Sequence, residues 1–203
     1  MPSRRRMLLG LLGHVGYVGL ATTPARLWAG NSDYRLDLDA TTVQFRFQLN
    51  GTWQSGTMPI TSSAIELNPS RLAATRVSVV LDATAAKTGF IIATQAMTSA
   101  EVLDVAQYPT IRFTSRKIHL GAEGRLSEGA EITGDLTLRG ITRPITLQAA
   151  LYRRAGSAVD DLSQLEFSLT GILSRAAYGA SGYAALVGDR VQLAIHARIL
   201  RNQ

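Results

Sequence analysis

The residues best able to do chemistry in this chain are few and scattered. Beyond residue 29 there are two histidines, His119 and His196, and the 203 residues contain no cysteine. A disulfide framework, a thiolate nucleophile and a cysteine-ligated metal are therefore excluded. Neither histidine belongs to an H-x-x-x-H or HExxH spacing, and no G-x-S-x-G segment is present.

The remaining candidates also favour a structural interpretation. His196 stands between Ile195 and Ala197 in an alternating segment, which places it on the polar face. The adjacent carboxylates Asp160 and Asp161 lie in a polar stretch, 155–164, that is typical of a solvated surface loop. We therefore expect no catalytic residue, no metal site and no cofactor, and the chain is not predicted to be an enzyme.

The elements that position any site are predicted to be β-strands. Eight segments alternate apolar with polar residues, at 43–49, 58–67, 77–81, 111–113, 132–138, 145–149, 165–169 and 191–199. Because successive side chains of a strand point to opposite faces, each segment has one dry and one wet face. Strands of a parallel sheet would be apolar on both faces, so the pattern predicts an antiparallel, all-β domain.

One short helix is predicted among these strands. Thr98-Ser-Ala-Glu101 has the spacing of a capping box, and Pro109 ends the region, so we place the helix over 98–106. A single helix cannot cover the dry faces of eight strands. Those faces must cover one another, in a closed barrel or a two-layer sandwich, and the alternation alone leaves both open.

Several inward positions of this single domain carry small residues, namely Gly134, Ala149, Gly171 and Ala197. An eight-stranded barrel is just wide enough to be filled by side chains or to hold one small ligand. The small residues either leave room for a ligand or compensate for large neighbours such as Phe45, Phe113 and Phe167. Patterning does not decide between these alternatives.

The N-terminus has the three parts of a secretory signal. Arg4, Arg5 and Arg6 precede an apolar run at 7–20, and small residues follow at 22–29. The run of about 14 residues is shorter than the roughly 20 that a membrane-spanning helix needs, although an uncleaved anchor is the alternative. We expect a cleaved signal peptide over 1–29 and a periplasmic or secreted domain over 30–203.

Two features of this signal bear on its route and on the charge. Ser3-Arg-Arg-Arg-Met7 resembles a twin-arginine motif, and an ordinary Sec signal stays the alternative. Cleavage would remove 4 of the 21 basic residues and none of the 15 acidic ones, so the net charge falls from +6 to +2 (17 minus 15). The mature chain is therefore not predicted to bind nucleic acid.

Three motifs resemble the YceI family over about residues 34–200. They are Glu101–Ser115 with its Tyr-Pro pair, the Gly-Asp-Leu-Thr-Leu segment within 132–147, and Arg175-Ala-Ala-Tyr-Gly179 followed by Val187-Gly-Asp-Arg-Val191. The resemblance implies an extended eight-stranded antiparallel lipocalin-like barrel with one short helix. The family's early histidine is replaced here by Thr41 or Thr42, and Ala177-Tyr178 replaces Asp-Phe, which leaves the ligand's head group open.

The resemblance also implies a function, that of a carrier for a long isoprenoid chain such as an isoprenoid quinone or a polyprenyl phosphate. The ligand would lie on inward apolar residues, with Met97 and Leu103 gating one end of the barrel. The predicted ligand-binding set is Phe45, Phe47, Val79, Leu81, Met97, Leu103, Phe113, Leu136, Leu147, Phe167, Leu169, Leu193 and Ile195.

Two other functions remain open from the residues alone. A ligand-free β-sandwich could act as a protein-interaction or stress-response module through its edge strands or the 155–164 loop. A small hydrolase is the weaker alternative, because no nucleophile and base are paired in a motif. For a carrier we further expect a monomer or homodimer that meets a delivery partner at a membrane surface.

Overall fold

The computed structural model describes residues 33–67, 71–121, 128–152 and 161–202. The predicted signal peptide, residues 1–29, lies outside the described residues. So do residues 122–127 and part of the predicted 155–164 loop. Within the described ranges, no helix combines the length and the apolar character needed to cross a membrane.

The described chain is built almost wholly of antiparallel strands. In order, the elements are β1 (Tyr34–Leu36), β2 (Thr42–Leu49), β3 (Thr52–Thr57), β4 (Ile60–Glu66), β5 (Arg76–Asp82), β6 (Lys87–Thr88), α1 (Ile91–Thr98), β7 (Thr110–Leu120), β8 (Ala130–Leu138), β9 (Ile141–Tyr152), β10 (Gln164–Ser174) and β11 (Arg190–Arg201). Short 3₁₀ turns occupy 72–74 and 176–178. The all-β prediction is confirmed, and each of the eight predicted segments is a strand.

The predicted strand count of eight was too low, because the described chain forms eleven. β1 and β6 have three and two residues, too few to display an alternation. β3 shows no apolar alternation because its one buried position is Gly56, which the ring of Phe45 covers. A larger residue at that position would overlap the ring, so the missing apolar signal has a steric cause.

A single antiparallel sheet curls into a barrel-like shape. The strand order is β4-β5-β7-β8-β9-β10-β11-β2-β3-β6, with β1 paired to the far end of β11. β4 stands at one end of this order and β3 next to the other end, yet only Met58 and Pro59 separate them in the chain. At this corner the Met58 N–H donates to Val43 of β2 (3.1 Å), and the Asp82 N–H of β5 donates to Pro59 (2.9 Å). At this corner the chain crosses between the two ends of one curled sheet, which favours a barrel over a two-sheet sandwich.

The helix lies earlier in the chain than predicted. α1 ends at Thr98, and residues 99–108 form a series of turns instead of the expected helix over 98–106. The Ser99 hydroxyl donates to the Ala96 carbonyl (2.7 Å) and so caps the end of α1 rather than the start of a new helix. Asp104 then adopts a positive φ of 50°, which a helix interior does not allow.

Candidate functional site

An apolar cavity of about 660 Å³ occupies the interior of the barrel. All thirteen residues predicted to touch a ligand lie in its wall, including Met97 from α1 and Leu103 from the turns that follow. The other eleven come from strands. Contact with a ligand remains a prediction, but the alternation brought these side chains to one continuous surface.

Strand β2 illustrates how the sequence builds the wall. Val43, Phe45 and Phe47 line the cavity, and the Gln44 and Arg46 side chains between them face outward and are exposed. The rings of Phe45 and Phe47 stack with centroids 6.2 Å apart and an angle of 26° between their planes. Each alternating strand therefore contributes every second side chain to the cavity.

The small inward residues serve two purposes. Ala149 and Ala197 lie in the cavity wall. Gly134 and Gly171 do not, because large neighbours cover them. A Cβ atom at 134 would stand 2.5 Å from the Phe113 ring, and one at 171 would stand 2.6 Å from Leu147 Cδ2. Both interpretations left open by the sequence therefore hold, at different positions.

Only four lining residues of the described ranges have polar side chains, namely Thr41, Thr75, Arg175 and Tyr183. The Thr41 hydroxyl accepts the Arg198 backbone N–H (3.1 Å). The Thr75 hydroxyl has no hydrogen-bond partner in the described structure, although the residue is only 9% exposed. A buried hydroxyl without a partner is costly, so Thr75 is a polar defect in an otherwise apolar wall.

Among the described lining residues, Arg175 is the one that carries a charge, and its guanidinium donates hydrogen bonds to backbone carbonyls. Nε donates to Gly188 (3.1 Å), Nη1 to Ala180 and Gly182 (2.5 and 2.7 Å), and Nη2 to Val187 (2.8 Å). Burial lowers the pKa of Arg175, and the nearby Asp189 carboxylate opposes this effect. The side chain therefore holds the 175–189 loop in place.

This loop belongs to a group of hydrogen-bonded segments at one end of the barrel, which we term the loop end. It comprises residues 83–109, the 49–52 and 138–141 hairpins, and the 175–189 loop. Arg139 Nη1 donates to Val102 (2.9 Å), and the Gly182 N–H donates to Glu101 (2.9 Å). The Gly188 N–H donates to Gln48 (3.0 Å). These bonds join four segments that are distant from one another in the sequence.

The cavity reaches the surface at the loop end. Four of its described lining residues are exposed, namely Phe90 (48%), Ile92 (80%), Tyr183 (45%) and Leu186 (49%). All the others are buried or half-buried. We call these four residues the mouth. Tyr183 has a φ of 56°, which is rare for an aromatic residue, while its carbonyl accepts N–H groups of Leu186 and Val187 (2.9 and 2.8 Å).

The histidines and carboxylates lie away from the cavity. His119 is exposed, and His196 Nε2 lies 3.6 Å from Glu166 on the outer face of β11. Asp135 forms an ion pair with Arg116 (2.5 Å) across the outer face of β7 and β8. Among the residues that the structure describes, no three histidine, aspartate or glutamate side chains are grouped to hold a metal.

The aromatic residues Trp53, Tyr178 and Tyr183 have different positions relative to the cavity. Tyr183 belongs to the mouth, whereas Tyr178 is buried in the 3₁₀ turn and its pKa is raised by that burial. Trp53 lies in β3, outside the cavity wall, with the Arg46 guanidinium 5.2 Å from its ring centroid. Sequence reasoning missed Phe90, Ile92 and Leu186, because an apolar run does not reveal which of its members stay exposed.

Comparisons with known proteins agree with this geometry. The family model described as the YceI-like domain matches residues 34–199. This chain belongs to the YceI family. Protein YceI of Escherichia coli is 31% identical to it over 140 residues, which cover 66% of this chain and 71% of that protein.

Solved structures of other proteins have the same fold. Burkholderia cenocepacia BcnA superimposes with a TM-score of 0.70 at 17% identity, covering 81% of this chain and 99% of BcnA. A polyisoprenoid-binding domain from Saccharophagus degradans has a TM-score of 0.60 at 15% identity, covering 84% of this chain and 99% of the domain. The lipocalin-like barrel is therefore the fold of this YceI protein.

Proposed function

We propose that this YceI protein is a carrier that holds a long isoprenoid chain, such as an isoprenoid quinone or a polyprenyl phosphate, inside its barrel. The observation that carries the proposal is a cavity of about 660 Å³ with polar side chains at only four described positions. Family membership and the name of the Saccharophagus relative support an isoprenoid as the ligand class.

The shape of the wall suits a chain rather than a compact molecule. On β11 alone the lining runs from Val191 to Ile199, which corresponds to about 26 Å at the usual rise of a strand. Burying about a dozen methylene groups would contribute about 10 kcal/mol. That is of the order needed to offset the loss of freedom on binding.

The wall also suggests how the ligand is oriented. Away from the mouth, the described polar groups are the Thr41 and Thr75 hydroxyls and an Arg175 guanidinium that already donates to four carbonyls. None of these compensates fully for the burial of an anionic phosphate. We therefore place the hydrocarbon inside and the head group at the mouth, where Tyr183 and solvent surround it.

Two neighbouring alanines of β9 provide the test. Ala149 lines the cavity, and the adjacent Ala150 is exposed on the outer face. We expect Ala149→Phe to reduce binding of solanesol, ubiquinone or undecaprenyl phosphate, measured by thermal shift, and Ala150→Phe to leave it unchanged. Equal binding by both variants, or no shift of the unaltered protein with any of the three lipids, would contradict the carrier.

We also propose that the chain is exported to the periplasm or secreted, on the strength of the signal-like segment at 1–29. Cell fractionation of the full chain should find the mature protein outside the cytoplasm. A double Arg4→Lys and Arg5→Lys variant distinguishes the two export routes. The variant should accumulate in the cytoplasm if the twin-arginine route is used, and it should be exported normally if the Sec route is used. Unaltered protein that stays in the cytoplasm would refute export.

A further inference from the structure

Exposed apolar side chains are concentrated around the mouth. Of the ten large apolar side chains exposed in the described residues, six lie at the loop end, and these are Phe90, Ile91, Ile92, Ile141, Tyr183 and Leu186. Ile91 and Ile92, in the first turn of α1, are 77% and 80% exposed. Adjacent apolar residues with this much exposure to water indicate a surface that contacts another apolar phase.

The apolar surface is continuous with the cavity. Ile92 lies both on this surface and in the cavity wall, and Phe90 does the same. Whatever covers the surface therefore also meets any ligand that enters or leaves. Hydrocarbon is the environment that lets an isoprenoid chain pass without contact with water.

Size and charge favour a lipid surface over a second protein chain. A stable protein interface buries about 800 Å² on each partner and involves about 20–30 residues, far more than Phe90, Ile91, Ile92, Tyr183 and Leu186 provide. α1 carries no charged residue, so the surface has no need of an oppositely charged partner. A bilayer interface binds through a few inserted apolar side chains.

We propose that these five residues dock the barrel on a lipid bilayer, where the mouth exchanges its ligand with the membrane. The identity of the cargo rests on the proposed function, but the docking itself does not. Because none of the five residues carries a charge, we expect the protein to bind zwitterionic phosphatidylcholine vesicles and to stay bound at high salt.

Vesicle flotation tests the proposal with two isoleucines. Ile91 is exposed beside the mouth without lining the cavity, and Ile172 is 56% exposed on β10, also outside the cavity wall. We expect Ile91→Ser to weaken binding to phosphatidylcholine vesicles about tenfold, as the loss of one inserted side chain implies. Ile172→Ser and the apolar replacement Ile91→Trp should bind as the unaltered protein does.

Several results would overturn docking. Docking would be contradicted if Ile91→Ser floated as well as the unaltered protein, or if the unaltered protein did not float. It would also be contradicted if binding required anionic lipid and was lost at high salt. Sedimentation velocity that shows a dimer converted to a monomer by Ile91→Ser would instead assign the surface to a second copy. Analysis of lipid extracted from the same preparations separates the two proposals. Flotation of protein that contains no isoprenoid would support docking and contradict the proposed isoprenoid cargo.

Discussion

Phe113 on β7 lies over Gly134 on β8, so closely that a Cβ atom at position 134 would stand 2.5 Å from the ring and 2.6 Å from the Thr114 carbonyl oxygen. The backbone oxygen cannot move aside as a flexible side chain could. Gly134→Ala is therefore expected to lower the free energy of unfolding by about 1–3 kcal/mol, measured by urea denaturation. The displaced ring would also enter the cavity.

Gly89 is the matched control for this change. A Cβ atom there would meet nothing within 4 Å, and its φ lies outside the left-handed region. Gly89→Ala should change stability by no more than about 0.5 kcal/mol. Equal effects of the two substitutions would contradict the close packing of Phe113 against Gly134.

This pair also shows how much the sequence could predict. Alternation located all eight long segments and eleven of the thirteen predicted lining residues, because a period of two directly reports which side chains share a face. Alternation could not distinguish Gly134, which is covered by a ring, from Ala149, which borders the cavity. That difference depends on side chains of the neighbouring strands. α1 was misplaced because Ile91 and Ile92 are exposed, so its apolar residues do not mark a buried face.

The two threonines of the cavity wall should respond oppositely to replacement by valine. Thr75 has a buried hydroxyl without a partner among the described residues, whereas the Thr41 hydroxyl accepts the Arg198 N–H. Thr75→Val should stabilise the ligand-free protein by about 1 kcal/mol, and Thr41→Val should destabilise it by a similar amount. Thermal denaturation of lipid-stripped protein measures both, and a destabilised Thr75→Val would show that its hydroxyl is satisfied.

Arg175 should be indispensable to the loop end. Arg175→Met leaves four carbonyl oxygens of the 180–188 segment without their donors, with an expected loss of at least about 3 kcal/mol. Arg175→Lys should rescue little, because an ammonium group cannot reproduce the planar fork. Hydrogen exchange should become faster in the 175–189 loop.

Arg116 provides the comparison for Arg175, since its ion pair with Asp135 lies on the surface with the arginine side chain 67% exposed. Arg116→Met should cost no more than about 1 kcal/mol. If Arg175→Met lowers the free energy of unfolding no more than Arg116→Met does and leaves hydrogen exchange of the loop unchanged, the bonds from Arg175 to the carbonyls do not hold the loop.

Asp189 should make the loop end sensitive to acid. Its carboxylate accepts hydrogen bonds from the Ser174 hydroxyl and the Ala176 N–H, which lower its pKa below the ordinary 3.8. Because the folded pKa is the lower one, its stabilising contribution is present above pH 3.8 and is lost as the pH falls through the folded value. Asp189→Asn should therefore lose less stability than the unaltered protein as the pH is lowered.

Denaturant titrations at a series of pH values between about 5 and 2 measure this difference. The two curves should converge at the acid end of the range, where the carboxylate is protonated. Parallel curves would show that the carboxylate contributes nothing that depends on its charge.

Native mass spectrometry of the full-length protein, purified from cells without added lipid, tests the carrier most directly. We predict a bound species that gentle activation releases intact and that fragments as an isoprenoid, present in the unaltered protein and Ala150→Phe but depleted in Ala149→Phe. A protein that carries no lipid under these conditions, and takes up neither solanesol nor ubiquinone from vesicles, would contradict the account.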